Sequence, residues 1–205
     1  MDDYSNQSPL VYLVDDDDAV REGLSVLLAS VGLRSAGFGD PQAFLAEGHH
    51  YAIGCLVLDI RMPSISGLQV LEQVAAHSDL PTIILTGHAN VDLCRRAFKT
   101  GAVEFLQKPV DDDVFLDAVQ AAVRQHIASR EKMAATHEAT QRLSTLSGRE
   151  TEVLRRVVEG VSNKQIARDL GLSPRTVETY RANVFAKLEA ESLAQLIRQY
   201  AALLG

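Results

Sequence analysis

Cys55-Leu56-Val57-Leu58 is an apolar run without alternation that stops abruptly at Asp59, with a turn signal at Met62-Pro63 just beyond it. Such a run reads as a strand buried on both faces, the pattern of a parallel sheet. The C-terminal ends of such strands are where open α/β sheets build their sites, so Asp59 arrives at a chemically meaningful place. Taken alone, Asp59 has a plainer reading as the cap of the next turn or helix. The rest of the first 124 residues decides between the two.

The same rhythm recurs along the chain. Leu10-Val11-Tyr12-Leu13-Val14 is a second apolar run, ending in Asp15-Asp16-Asp17-Asp18. Helical spacing of Val20, Leu24, Leu27, Leu28 and Val31 predicts a helix over 19–31, closed by Gly32. A weak extended segment over 33–38 and a short helix over 41–47 lead through Gly48 to the strand that ends at Asp59. Beyond Gly67, Leu68, Val70, Leu71 and Val74 form an amphipathic stripe. Pro81 to Thr86 is a β-branched strand ending in a hydroxyl, and a helix over 91–99 stops at Gly101. Val103-Glu104-Phe105-Leu106 is the fifth strand, ending at Gln107-Lys108-Pro109, and a last helix starts near 111. Strand and helix alternating five times predict a doubly wound, flavodoxin-like parallel sheet with helices on both faces.

The polar residues then fall on one edge. Asp15, Asp16, Asp59, Thr86 and Lys108 each stand at the end of a predicted strand, so three carboxylates, a hydroxyl and an ammonium converge. Loop caps do not explain that many coincidences. Four adjacent acids repel one another; Asp17 and Asp18 suit the start of the next helix, whereas Asp15 and Asp16 suit a hard divalent cation.

Charge divides the chain further. Residues 1–124 hold 8 Lys and Arg against 18 Asp and Glu, while residues 147–205 hold 9 against 7, within a net charge of −7. An acidic front and a mildly basic back predict two domains with different partners. No run of about eighteen apolar residues and no basic-then-apolar leader occurs, so neither a membrane nor a secretory route is expected. Cys55 and Cys94 alone make no disulfide framework or zinc site, which fits a cytoplasmic location.

V-D-D after the first strand, L-D-I-R-M-P after the third, I-L-T-G after the fourth and Q-K-P after the fifth resemble the receiver domain of bacterial response regulators over about residues 10–124. The resemblance implies Asp59 as phosphoacceptor. Asp16, Asp59 and the backbone carbonyl of Arg61 would hold Mg²⁺ (or Mn²⁺), with Asp15 assisting. Lys108 would neutralise the phosphoryl oxygens, and Thr86 would donate to them while Phe105 swings inward. It also implies a cis Lys108–Pro109 bond, and places Arg61 and His88 where such domains tune phosphoryl hydrolysis. The stretch Asn90 to Phe98 departs from the Val-Pro-containing version of close relatives, so the dimer face is not assigned.

Residues 125–146 lose the strand–helix rhythm and contain no Gly or Pro, so the last helix is expected to extend to about 140. Its heptads are poor: Val119 and Val123 are followed by His126, Arg130, Met133 and His137, which argues against a sustained coiled coil.

Ser147 then opens a new domain as an N-cap, with Glu150 three residues on completing a capping box. That helix is expected to run to Glu159 and stop at Gly160. Ser162 or Asn163 caps a second, ending at Gly171, and Pro174 sits just inside a third. Helix, short Gly-containing turn and helix form the helix-turn-helix signature. On the third helix Val177, Tyr180 or Arg181, Val184 and Leu188 share the packing face. The opposite face presents Arg175, Glu178, Thr179, Ala182, Asn183 and Ala186, beside Thr176. Small and hydrogen-bonding groups there suit a major groove, with Arg181, Lys187 and Lys164 placed for phosphates. A small protein-binding bundle is the competing reading of the pattern alone. A final helix over 193–204 carries a stripe of Leu193, Leu196, Ile197, Tyr200 and Leu204. L-S-G-R-E-x-E-V-L and G-x-S-N-K-Q-I-A-R-D-L-G-L-S-P-R-T-V-E resemble the LuxR-type helix-turn-helix, and the joined pair resembles FixJ-type regulators of the NarL/FixJ class.

The expectation is therefore a receiver at 9–124, a helical linker at 125–142 and an all-α DNA-binding domain at 143–205. Its partners would be a sensor histidine kinase, double-stranded promoter DNA, a second copy of itself on phosphorylation, and RNA polymerase. It would not be an enzyme beyond its own phosphoryl transfer and autodephosphorylation. Two rivals are a DNA binder that works by oligomerisation without phosphorylation, and a free-standing Mg²⁺-dependent acyl-phosphate hydrolase.

Overall fold

The computed structural model describes residues 8–47 and 52–204. Gly48, expected to follow the second helix, lies outside the described residues. The chain divides into two compact units between Arg130 and Glu131.

The first unit alternates β1 (Leu10–Val14), α1 (Asp18–Ser30), β2 (Arg34–Phe38), α2 (Pro41–Ala46), β3 (Gly54–Leu58), α3 (Gly67–His77), β4 (Thr82–Thr86), α4 (Val91–Thr100), β5 (Ala102–Gln107) and α5 (Asp112–Ser144). All pairings are parallel, and the strand order is β2-β1-β3-β4-β5. Because side chains alternate faces along a strand, the three central strands feed two cores at once. Tyr12, Val14, Leu56, Leu58 and Ile84 meet Phe44, Leu68 and Leu71 on one face. Val11, Leu13, Cys55, Val57, Ile83 and Leu85 meet Leu28, Phe115 and Val119 on the other. That double burial is why β1, β3 and β4 read as unbroken apolar runs. The edge strand β2, half-exposed, reads weakly for the same reason.

The second unit holds the last part of α5 and then α6 (Gly148–Val158), α7 (Asn163–Leu170), α8 (Pro174–Lys187) and α9 (Leu193–Tyr200). Ser147 Oγ accepts from the Glu150 amide at 3.3 Å while Glu150 Oε2 accepts from the Ser147 amide at 2.7 Å, so the expected capping box forms. Gly171 ends α7 in the left-handed conformation at φ 65°, which turns the chain into the Ser173 cap of α8. The α6 helix ends at Val158 with Glu159 as its C-cap, where the sequence puts its end, whereas one expectation needs correction: α9 ends at Tyr200, short of Leu204, and tightens into a 3₁₀ turn over Ala201–Leu203. Tyr200 is the reason for the latter: its ring is buried and its hydroxyl donates to the Leu188 carbonyl at 3.0 Å, which anchors the helix end there.

Candidate functional site

The strand order reverses at β1 and β3, the neighbouring pair from which the chain winds outward in both directions, and their C-terminal ends carry Asp15 and Asp59. Crevices at such a switch point are the natural ligand site of an open α/β sheet. The Asp59 amide donates to the Val14 carbonyl at 2.9 Å, and the Lys108 amide to the Thr86 carbonyl at 2.9 Å. These bonds continue the sheet's ladder by one residue, so each functional side chain leaves a fixed backbone. Gly67 is dictated by this edge, because a Cβ there would stand 2.0 Å from the Asp59 carbonyl oxygen.

Lys108 reaches across from β5, and its Nζ lies 2.5 Å from Asp15 Oδ2 and 2.9 Å from Asp59 Oδ2. Asp15 and Asp59 are buried while Asp16 is exposed. One ligand oxygen from each of the three lies within 4.8 Å of the others. Asp15 Oδ1 also accepts from the Asp17 amide at 3.0 Å, and Asp59 Oδ1 from the Arg61 amide at 3.1 Å. Burial pushes the Asp15 carboxyl upward, more than the Lys108 and Asp17 bonds pull it down. For Lys108 burial opposes the charge, but its bonds to Asp15 and Asp59 outweigh it, so the ammonium is held above its ordinary range. Three carboxylates against one ammonium leave two negative charges among hard oxygen donors, a fit to one Mg²⁺.

Thr86 is fully buried, and among the described residues its Oγ1 takes only a long 3.5 Å contact from the His88 amide. Phe105 is half-buried against the first core, and Arg61 and His88 are exposed beside the edge. The Lys108–Pro109 bond is cis. Asp17 caps α1 by accepting from Ala19 and Val20, and Asp18 sits in its first turn. Sequence reasoning passed over Arg21, which touches Asp15 and Asp18. The local signal was there, since Arg21 lies one helical turn beyond Asp18, but its reach to a backbone carbonyl was not legible.

In the second unit α8 exposes Arg175, Glu178, Thr179, Ala182 and Asn183, and α7 exposes Lys164. Thr176 is half-buried and its amide bonds the Ser173 cap. Arg181 is half-buried and donates to Asn163 Oδ1 at 2.6 Å, which ties α8 to the start of α7. Tyr180 joins the packing face with Val177. Lys187 is engaged elsewhere: its Nζ lies 2.7 Å from Glu150 Oε2 and 3.3 Å from the Thr145 carbonyl.

A five-stranded parallel sheet with an acidic, lysine-bridged edge, followed by a helix-turn-helix, defines a receiver joined to a DNA-binding module. Residues 11–120 match the response regulator receiver domain, and residues 144–200 match the bacterial regulatory proteins of the luxR family. The transcriptional regulatory protein FixJ of Azorhizobium caulinodans is 46% identical over 92% of this chain and 90% of its own length. FixJ of Bradyrhizobium diazoefficiens is 42% identical over 92% of both. Among solved structures, the response regulator StyR superposes with a TM-score of 0.85 at 39% identity, covering 96% of this chain and 100% of that one. Full-length FixJ from B. japonicum gives 0.60 at 40% identity, covering 96% and 97%. The chain belongs to the FixJ-like two-component response regulators, transcription regulators that pair a receiver with a LuxR-type DNA-binding domain. Among the described residues, no helix is long and apolar enough to cross a membrane.

Proposed function

We propose that Asp59 is the phosphoacceptor of this regulator and that its phosphorylation by a sensor histidine kinase switches DNA binding. The observation that supports it most is the Lys108 ammonium placed 2.5 Å from Asp15 and 2.9 Å from Asp59 on the switch-point edge. An Asp59 carboxylate oxygen attacks the phosphorus of a phosphohistidine; the P–N bond breaks, a P–O bond forms, and the imidazole leaves. Two anions must approach for this, and Lys108 offsets their repulsion from a fixed position. Asp15, Asp16 and Asp59, with the Arg61 carbonyl, would hold Mg²⁺ (or Mn²⁺), which when bound supplies further charge neutralisation to the phosphoryl oxygens. Water attack on the acyl phosphate, with the P–O bond breaking, returns the carboxylate. Arg61 and His88 flank that step.

Among the described residues Thr86 Oγ1 has one long contact, so rotation toward a phosphoryl oxygen gives up little. Phe105, half-buried already, follows into the space released. The receivers then pair, or the DNA-binding domain becomes available, and the dimer reads a two-fold promoter site in contact with RNA polymerase. Arg175, Glu178, Thr179, Ala182 and Asn183 face the bases, with Thr176 beside them. Lys164 and Arg181 face the backbone, and Lys187 joins them only by releasing Glu150. We place the protein in the cytoplasm, and take residues 9–124, 125–142 and 143–205 as its receiver, linker and DNA-binding parts.

Asp59→Asn tests this. Wild-type protein with acetyl phosphate and Mg²⁺ is expected to bind its promoter more tightly, whereas the variant stays at the untreated level. Full induction of the variant would overturn the assignment.

A further inference from the structure

Asp16 is positioned by its main chain. It supplies one of the three clustered ligand oxygens, yet it is exposed, and among the described residues its carboxylate has no hydrogen-bond or ion-pair partner. Asp15 and Asp59 are held by Lys108; Asp16 is held only through the peptide that joins it to Asp15. The carbonyl of that peptide, Asp15 O, accepts from Arg21 Nη1 at 2.5 Å. Through Nη2 the same guanidinium pairs with the Asp18 carboxylate, so one rigid fork spans the run of four acids. The Arg21 side chain is only 17% exposed. It lies across the end of β2, where a Cβ on Gly39 would meet Nη2 at 3.2 Å and one on Gly37 would meet Cδ at 3.6 Å.

We infer that Arg21 is a positioning residue for phosphoryl transfer at Asp59: it fixes the Asp15–Asp16 peptide and thereby aims the Asp16 carboxylate at the metal position. This rests on the reading of the acidic edge as a divalent-metal site. Two roles for a cation here differ in sign. As a bare charge Arg21 repels a divalent ion, and removing it would tighten metal binding. As a positioner it stops four adjacent acids from spreading, and removing it loosens metal binding.

The test is Mn²⁺ affinity of the full chain without phosphodonor, read from the free-ion signal by electron paramagnetic resonance. Arg21→Ala is expected to weaken Mn²⁺ binding by about tenfold, the usual effect of removing a residue that orients a metal ligand. Arg21→Lys keeps the charge but lacks the fork, and is expected to fall closer to the alanine variant than to wild type. With acetyl phosphate, the half-saturating Mg²⁺ concentration rises while the rate at saturating Mg²⁺ recovers most of the wild-type value. Gly39 lies outside the left-handed region, so Gly39→Ala folds on the same backbone while crowding the guanidinium with every charge retained. It weakens Mn²⁺ binding in the same direction and carries the test if Arg21→Ala does not fold. An Arg21→Ala variant that binds Mn²⁺ as tightly as wild type or more tightly overturns the inference, as does an unchanged Gly39→Ala. Wild-type protein that binds no Mn²⁺ overturns the metal-site reading itself, a result visible without any variant.

Discussion

Burial and the Lys108 ammonium pull Asp15 in opposite directions, and burial is the larger. A carboxyl held above its ordinary value of 3.8 is ionised less readily in the folded chain than in the open one. Its contribution to stability is therefore unfavourable above the raised value and absent below the ordinary one. The site keeps that charge for its chemistry at the expense of the fold, as functional sites commonly do. Asp15→Asn is expected to raise the melting temperature of the metal-free protein near neutral pH, measured in EDTA, while weakening Mn²⁺ binding. A lower melting temperature would mean that the Lys108 bond outweighs burial. Lys108 has the opposite linkage: its raised value stabilises the fold below the ordinary 10.5 and is lost as pH rises through the folded value.

Among the elements, α6 depends on a similar local charge. Glu150 is 4% exposed and is held down to about 2, first by the Lys187 ammonium and then by the Ser147 amide, with burial opposing both. A lowered carboxyl contributes stability that is present above its ordinary value of 4.5 and is lost as pH falls through about 2. Glu150→Gln should therefore melt below wild type near neutral pH, and the gap should close as circular-dichroism melts are taken down from 4.5 toward 2. A constant gap across that range would show that the carboxylate charge is not what holds the cap. The cap was legible in the sequence because Ser147 and Glu150 are three residues apart; the Lys187 partner was not, because it lies 37 residues away. The strands divide likewise. Those buried on both faces announced themselves as apolar runs, and their polar ends located the site, whereas β2 at the edge gave a weak signal. His126 is the clearest omission. It broke the heptad pattern and suggested only a poor coiled coil, yet it is fully buried and bonds Gly54 at the start of β3. Its Nδ1 lies 3.1 Å from the Gly54 amide and 3.0 Å from the Gly54 carbonyl, and its Nε2 lies 3.1 Å from Arg130 Nε, so the ring ties α5 to the first residue of β3. Its position four residues from Ala122 and three from Val123 continued the buried stripe of α5; its polarity hid that.

For the molecule as a whole, the question is what α5 does over residues 131–138, every one of which is exposed. No core residue belongs to that stretch, and its support is helix propensity and pairs such as Arg142 with Glu138 and Gln141 with His137. Pairs of this kind contribute only about 0.2–0.5 kcal/mol each. A proline inside an exposed helix costs about 3 kcal/mol of that helix's own stability, but here the cost falls on neither core. Ala134→Pro is therefore expected to lower the helical circular-dichroism signal while leaving the melting transitions and the acetyl phosphate reaction rate unchanged. If the two units communicate by pairing receivers, which raises the local concentration of tethered DNA-binding domains, the variant should still bind promoter DNA more tightly on phosphorylation. We expect that outcome, because residues 131–138 are exposed and their heptads are poor. Gel-shift titrations with and without acetyl phosphate decide it: a variant that is phosphorylated normally but no longer responds would show that the helix itself carries the signal.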